Sequence, residues 1–174
     1  MRKNLMWMLT AILFCGLTVT VLSSCSKDSD SSSTGGGGGG GADAAVGMNV
    51  SYSIQVGEIT NEGYTVKVEY TDADGKSKTE VITDKFSKDV TIKGVPCSAT
   101  LIITATPKEN LTGDKYDIEY IYKMTGVAVN SKGKEFGTLK PKSETVIQHG
   151  ITKDRMKVFT KEVTINCTSS GVTP

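Results

Sequence analysis

Four cysteines and one histidine hold most of the reactive chemistry in this 174-residue chain. A thiol is acylated, bridged to a second thiol, or bound as thiolate to a metal. Cys15 and Cys25 lie near the front; Cys97 and Cys167 lie far apart in the later part. His149 has no partner close in sequence and is followed by Gly150, which reads as a turn. Such a setting is poor for a general base, which must be held within reach of a proton. A single imidazole also leaves most metal sets and Ser-His-Asp arrangements one member short. Asp72-Ala73-Asp74-Gly75 starts like a calcium loop, but Lys76, Lys78 and Glu80 follow instead of the rest of that pattern. No pair of carboxylates stands out for glycoside hydrolysis, whose signature is a separation in space. These residues lead us to expect a protein that is not an enzyme and that uses no metal and no cofactor.

Cys25 has the most informative surroundings. Arg2 and Lys3 form a basic head, and Leu5 to Leu22 is almost wholly apolar or small. A basic head, an apolar run and small residues at its end make a secretory signal. The run is also long enough to span a bilayer as a helix. An uncleaved anchor, an ordinary cleaved signal and an acylated cysteine are therefore the three readings, and the thiol at the border separates them.

Leu22-Ser23-Ser24-Cys25 resembles the lipobox of bacterial lipoproteins. The resemblance implies cleavage before Cys25, so that residues 1–24 are a lipoprotein signal peptide and Cys15 is discarded with it. It further implies a diacylglycerol thioether and acyl chains such as palmitate on Cys25. One acyl chain binds a bilayer only marginally at about 0.8 kcal/mol per buried methylene, and two or three make the attachment lasting. Ser26 follows the cysteine where an inner-membrane lipoprotein of enteric bacteria has Asp, which implies the outer membrane. Lys27-Asp28-Ser29-Asp30 resembles the short charged export signal of Bacteroidetes surface lipoproteins, which implies exposure at the cell surface; the other reading of these residues is a solvated polar spacer.

Residues 25–45 contain little besides Ser, Asp, Gly and Ala after the cysteine, with an unbroken glycine run from Gly35 to Gly41. Such a segment cannot offset its own ordering entropy and reads as a disordered tether. Its length corresponds to roughly 24 Å root-mean-square. A G-x-G-x-x-G pattern is formally present, but no strand precedes it and no helix follows it, so it is not a phosphate cradle. Charge is nearly balanced, with 20 Lys and Arg against 19 Asp and Glu. That excludes the basic stripe that nucleic-acid binding requires and leaves the lipid at Cys25 as the membrane contact.

From residue 46 to 169 the hydrophobic period is two. Tyr52, Ile54 and Val56 alternate with Ser51, Ser53 and Gln55; Tyr64, Val66, Val68 and Tyr70 alternate with Thr65, Lys67 and Glu69. Tyr116, Ile118, Tyr120, Tyr122 and Met124 form a third such set, and Val163, Ile165 and Cys167 a fourth. Residues two apart share a face of a strand. Leu101-Ile102-Ile103 reads as a more fully buried strand. The spacing predicts strands near 48–56, 63–71, 77–83, 87–93, 98–106, 116–130, 134–139 and 143–148, and a last one within 155–168. "ITKDRMKVF" starts with at most one turn of helix, and residues 170–174 read as a C-terminal tail. Asp74-Gly75 is the strongest turn signal and suggests a type I′ hairpin.

The pattern predicts an all-β fold, a single antiparallel β-sandwich of the immunoglobulin-like or transthyretin-like kind, with a closed barrel as the alternative. The single Trp, Trp7, lies in the leader, so the buried Trp of immunoglobulin domains is missing and the likeness is one of architecture. The stretch from Tyr64 to Pro107 also resembles the β-sandwich half of small accessory proteins of mycobacterial lipid exporters, in strand and turn pattern, which implies fold alone.

Cys97 and Cys167 sit in a chain that a secretory signal sends to a disulfide-permissive compartment. A bridge between them would close a loop of about 70 residues and contribute about 4 kcal/mol on the chain-entropy estimate. Two buried, unpaired thiols, or a reactive or metal-binding thiol, are the other readings. Tyr116, Tyr120 and Tyr122 are candidates for a ligand strip, because glycans bind to exposed aromatic faces; the competing reading places them in the core. An unpaired sheet edge would give a second route to a partner, blunted where lysines such as 67, 78, 85 and 88 lie along it. The leading expectation is an outer-membrane lipoprotein whose sandwich is a non-enzymatic binding or structural module of the cell envelope, with an envelope protein or a glycan as partner. A glycan- or small-ligand-binding accessory lipoprotein is the alternative. A hydrolase built on His149 or a carboxylate pair comes third.

Overall fold

Alternation of apolar and polar side chains becomes two stacked sheets. The structure is a computed structural model, and it describes residues 44–174. In chain order the elements are β1 (Gly47–Val56), α1 (Thr60–Gly63), β2 (Tyr64–Thr71), β3 (Ser77–Ile82), β4 (Lys85–Lys93), β5 (Cys97–Pro107), β6 (Lys115–Val129), β7 (Glu135–Thr152), β8 (Phe159–Thr168) and β9 (Gly171–Thr173). One sheet has the order β4-β1-β6-β7 and the other β3-β2-β5-β8-β9, with antiparallel pairing throughout. An immunoglobulin constant domain orders its strands A-B-E-D and C-F-G. The likeness here is the face-to-face packing of two antiparallel sheets.

The core is built from the inward side of each strand. Val50, Tyr52, Ile54 and Val56 of β1 are buried while Ser51, Ser53 and Gln55 are exposed. Tyr64, Val66, Val68 and Tyr70 of β2 meet them from the other sheet, with Leu101, Ile103, Ile118, Met124 and Ile165 beside them in one cluster. Each large aliphatic side chain removed from water in this way contributes about 1.5–3 kcal/mol. Three rings join the sheets: Tyr70 of β2 lies 5.6 Å from Tyr52 and 5.1 Å from Phe86, centroid to centroid.

Several boundaries differ from the spacing. The two strands expected at 134–139 and 143–148 are one 18-residue strand, β7. Pro141 interrupts the pattern but not the strand, because β7 is a sheet edge, where proline is tolerated. The expected tail contains β9, which pairs Gly171 and Val172 with Thr168 and Cys167. Gly171, at φ 128°, takes a conformation that other residues rarely adopt as the chain reverses there. A short 3-10 turn at Lys153–Arg155 stands before β8, where one turn of helix was expected.

The β2–β3 hairpin turns one residue earlier than a type I′ pair at Asp74-Gly75. The Gly75 N–H donates to the Asp72 carbonyl at 2.9 Å, so Ala73 and Asp74 are the central residues. Gly75 follows at φ 76°. The Asp72 N–H then donates to the Lys76 carbonyl at 2.9 Å. A turn followed by a left-handed glycine is the bulged hairpin, which needs positive φ at one position only. The β6–β7 hairpin repeats this pattern at Asn130 to Lys134, with Gly133 at φ 75°.

Candidate functional site

The tyrosine strip is not a surface. All six tyrosines are buried, among them Tyr116, Tyr120 and Tyr122 at 7%, 2% and 4% exposure. They are in phase with Ile118 and Met124, and the opposite sheet covers that face. Asp117, Glu119, Ile121 and Lys123 take the outward positions instead. The hydroxyls serve the fold: Tyr52 donates to the Thr71 carbonyl at 2.9 Å, Tyr70 to Glu80 at 3.0 Å and Tyr122 to Glu144 at 3.1 Å. The Tyr116 hydroxyl accepts from the Gly113 N–H and donates to its carbonyl, at 2.6 and 3.0 Å. A tyrosine at the start of a strand bonded to backbone just upstream is the tyrosine corner of β-sandwiches. Burial raises the phenol pKa values of Tyr52, Tyr64, Tyr70, Tyr120 and Tyr122. Only the Tyr64 hydroxyl is buried without a hydrogen-bond partner among the described residues.

His149 lies within β7, not in a turn. Between the pairs Tyr116–Ile151 and Ile118–Gln148, Asp117 opposes two residues, His149 and Gly150. This is a β-bulge, and the Asp117 carboxylate pins it. One oxygen accepts from the Gly150 N–H at 2.7 Å, and the other lies 3.1 Å from His149 Nδ1. Gly150, at φ 66°, supplies the left-handed residue that such a bulge uses. The Gly150 hydrogen bond first, and His149 second, hold the Asp117 carboxyl below its usual pKa. A carboxyl with a lowered folded pKa contributes stability above the unfolded carboxylate range, near 4. That stability is lost as pH falls through the folded value. Acid titration of unfolding should therefore be less steep in Asp117→Asn than in the parent below about pH 4. Identical acid limbs would contradict this role.

The carboxylates of the aspartate hairpin are engaged. Asp72 pairs with Lys78, and Asp74 accepts the Lys76 N–H at 3.0 Å. The Lys78 hydrogen bond is the largest cause of the lowered Asp72 pKa. Among the described residues no three His, Cys, Asp or Glu side chains are grouped to hold a metal. Shallow polar hollows lie on the outer faces. One of about 320 Å³ is lined by Asn49, Ser51, Asp89, Thr91 and Glu135, and Asn49 there donates to Glu135 and accepts from Thr91.

Thr60 was not singled out by sequence. It is fully buried, and its hydroxyl donates to the Glu119 carbonyl at 3.0 Å and accepts the Glu119 N–H at 2.7 Å. It thereby replaces a missing strand for β6 at that point. A single threonine before a glutamate and a glycine carries no local signal of such a contact.

The remaining surface feature is an open edge. Among the described residues β7 borders its sheet and pairs only with β6. From Ser143 to Gly150 every residue but the half-buried Val146 is exposed. Ile147, at 51% exposure, opposes Glu119, and Ile121, at 47%, opposes Thr145. The two isoleucines are thus diagonal cross-strand neighbours on the outer face. Of the lysines expected to blunt edges, Lys78 lies on edge strand β3 and Lys85 and Lys88 on edge strand β4, whereas Lys67 is on β2 inside its sheet. On the flank between β7 and β8, Glu144 bonds Lys161 and accepts from Tyr122, and the Lys161 hydrogen bond is the largest cause of the lowered Glu144 pKa.

Cys97 and Cys167 stand directly opposite each other in the β5–β8 ladder. Both are free thiols, Cys97 half-buried and Cys167 buried. Cys25, the signal peptide and the tether lie outside the described residues. Comparison of the chain with family models, with curated proteins and with solved structures finds no match.

Proposed function

We propose that this protein is a lipid-anchored component of the outer cell envelope whose β-sandwich is a non-enzymatic binding module. The observation that carries the address is Leu22-Ser23-Ser24-Cys25 at the end of an apolar run headed by Arg2 and Lys3. What supports a binding role is the free edge of β7, with Ile121 and Ile147 beside it. A partner presenting an extended segment would add a strand there, gaining main-chain hydrogen bonds from the edge and apolar contact from the two isoleucines. The glycan-binding alternative has lost the tyrosines on which it rested.

A photoreactive side chain at position 145 or 147, in the full chain on intact cells, tests the reading. The expected result is the same envelope-protein adduct from both positions and none from position 53, on the outer face of β1. Adducts of equal yield at 53, or no adduct at 145 and 147, would end the proposed docking edge.

A further inference from the structure

We infer that Cys97 and Cys167 are a disulfide-forming pair, closed by a dithiol–disulfide oxidant once the domain has folded. The inference goes beyond the proposed function and does not rest on the anchor or on the β7 edge.

Register is the first argument. Cys97 of β5 and Cys167 of β8 are directly opposed, as are Ser98 with Asn166 and Ala99 with Ile165 after them. Directly opposed residues in an antiparallel ladder have Cα atoms about 4.5–5.5 Å apart and Cβ atoms at about the same spacing. A disulfide requires Cα atoms about 4.4–6.8 Å apart and Cβ atoms about 3.5–4.5 Å apart. Closure therefore calls for side-chain rotation with little backbone movement. Each thiol lies near enough to the other to shift its pKa.

Location is the second. The Ala45 N–H donates to the Ser169 carbonyl, and the Val46 N–H to the Val129 carbonyl. Cys167 Sγ lies 3.5 Å from the Gly47 carbonyl oxygen. The pair thus sits where residues 45–47 are stitched to the ends of β6 and β8. A bridge there ties β8, and β9 beyond it, to β5, at the end of the domain next to its first strand.

The chemistry is a two-step exchange. The thiol of Cys97, the more accessible of the two, loses its proton and attacks one sulfur of the oxidant's disulfide. An S–S bond forms to Cys97 and the other oxidant sulfur leaves as thiolate. The Cys167 thiolate then attacks Cys97 Sγ, forming the bridge and releasing the second oxidant thiolate. Two protein thiols are oxidised, one disulfide is reduced to two thiols, and the two protons end on them. Burial raises both pKa values, that of Cys167 to about 11. Few thiolates are present at neutral pH, so exchange with a small disulfide is slow.

The test uses the full chain, isolated from an exporting cell without reductant, denatured, alkylated with N-ethylmaleimide and digested. The peptides carrying Cys97 and Cys167 should be recovered unlabelled and joined to each other within one chain. If isolation leaves them reduced, prolonged incubation of the folded protein with oxidised glutathione should join them. Two separately labelled peptides after that incubation would overturn the inference, as would a stable glutathione adduct on Cys97 or a link between two chains. Reduction should also lower the urea midpoint of the parent but leave that of the Cys97→Ala/Cys167→Ala double variant unchanged; equal responses would count against the pair.

Discussion

Tyr70→Ala should destabilise the sandwich by about 3–5 kcal/mol, the loss typical of deleting a large buried aromatic side chain. Tyr70 is 2% exposed and is the centre of the ring cluster that joins the sheets, touching Tyr52 of β1 and Phe86 of β4. Truncation removes both ring contacts and opens a cavity against residues that two different strands hold in place. Tyr70→Phe keeps the ring and gives up only the bond to Glu80. Glu80 is exposed on β3 and takes water instead, so that variant should lose about 1 kcal/mol or less. Urea unfolding of the two variants separates packing from hydroxyl. Equal losses would show that the hydrogen bond, not the ring, carries the effect.

Gly63→Ala should cost about 1–3 kcal/mol, although the change adds one methyl group. A Cβ at Gly63 would lie 2.6 Å from Tyr116 Cδ1 and 2.7 Å from its Cβ and Cγ. Those atoms are the near end of the side chain, so a rotamer change at the tip does not relieve them. The ring is fastened at its far end as well, by the two bonds of its hydroxyl to Gly113. Either the corner at the start of β6 opens or α1 moves off it. Gly75→Ala is a useful control: nothing lies within 4 Å of a Cβ there, but φ is 76°, so its cost comes from backbone conformation alone. If Gly63→Ala unfolds at the parent's urea concentration, the Tyr116 ring is free to move and the corner is not a fixed point.

Much of the fold was legible because β-strand periodicity is local. The runs at Tyr52–Val56, Tyr64–Tyr70 and Tyr116–Met124 each state which residues share a face. They do not state whether that face is covered, which depends on the other sheet. This is why the tyrosines supported two readings until Tyr116, Tyr120 and Tyr122 were seen to face inward. Edges are legible less well. Pro141 and the glycine at 150 read as breaks, yet a border strand with bulges accommodates both. Bulges themselves are invisible to a period-two reading, and with them went the pairing of Asp117 with His149. Cys97 and Cys167 could be named as partners from their compartment and number, but only the β5–β8 register puts them face to face.

The central claim is that acylation of Cys25 fastens this sandwich to the envelope. Growth with radiolabelled palmitate, followed by isolation of the full chain, tests it most directly. The account predicts label on the parent protein, which partitions with membranes, and no label on a soluble Cys25→Ala variant. A parent chain without label, or a Cys25→Ala variant that keeps both label and membrane attachment, would contradict it.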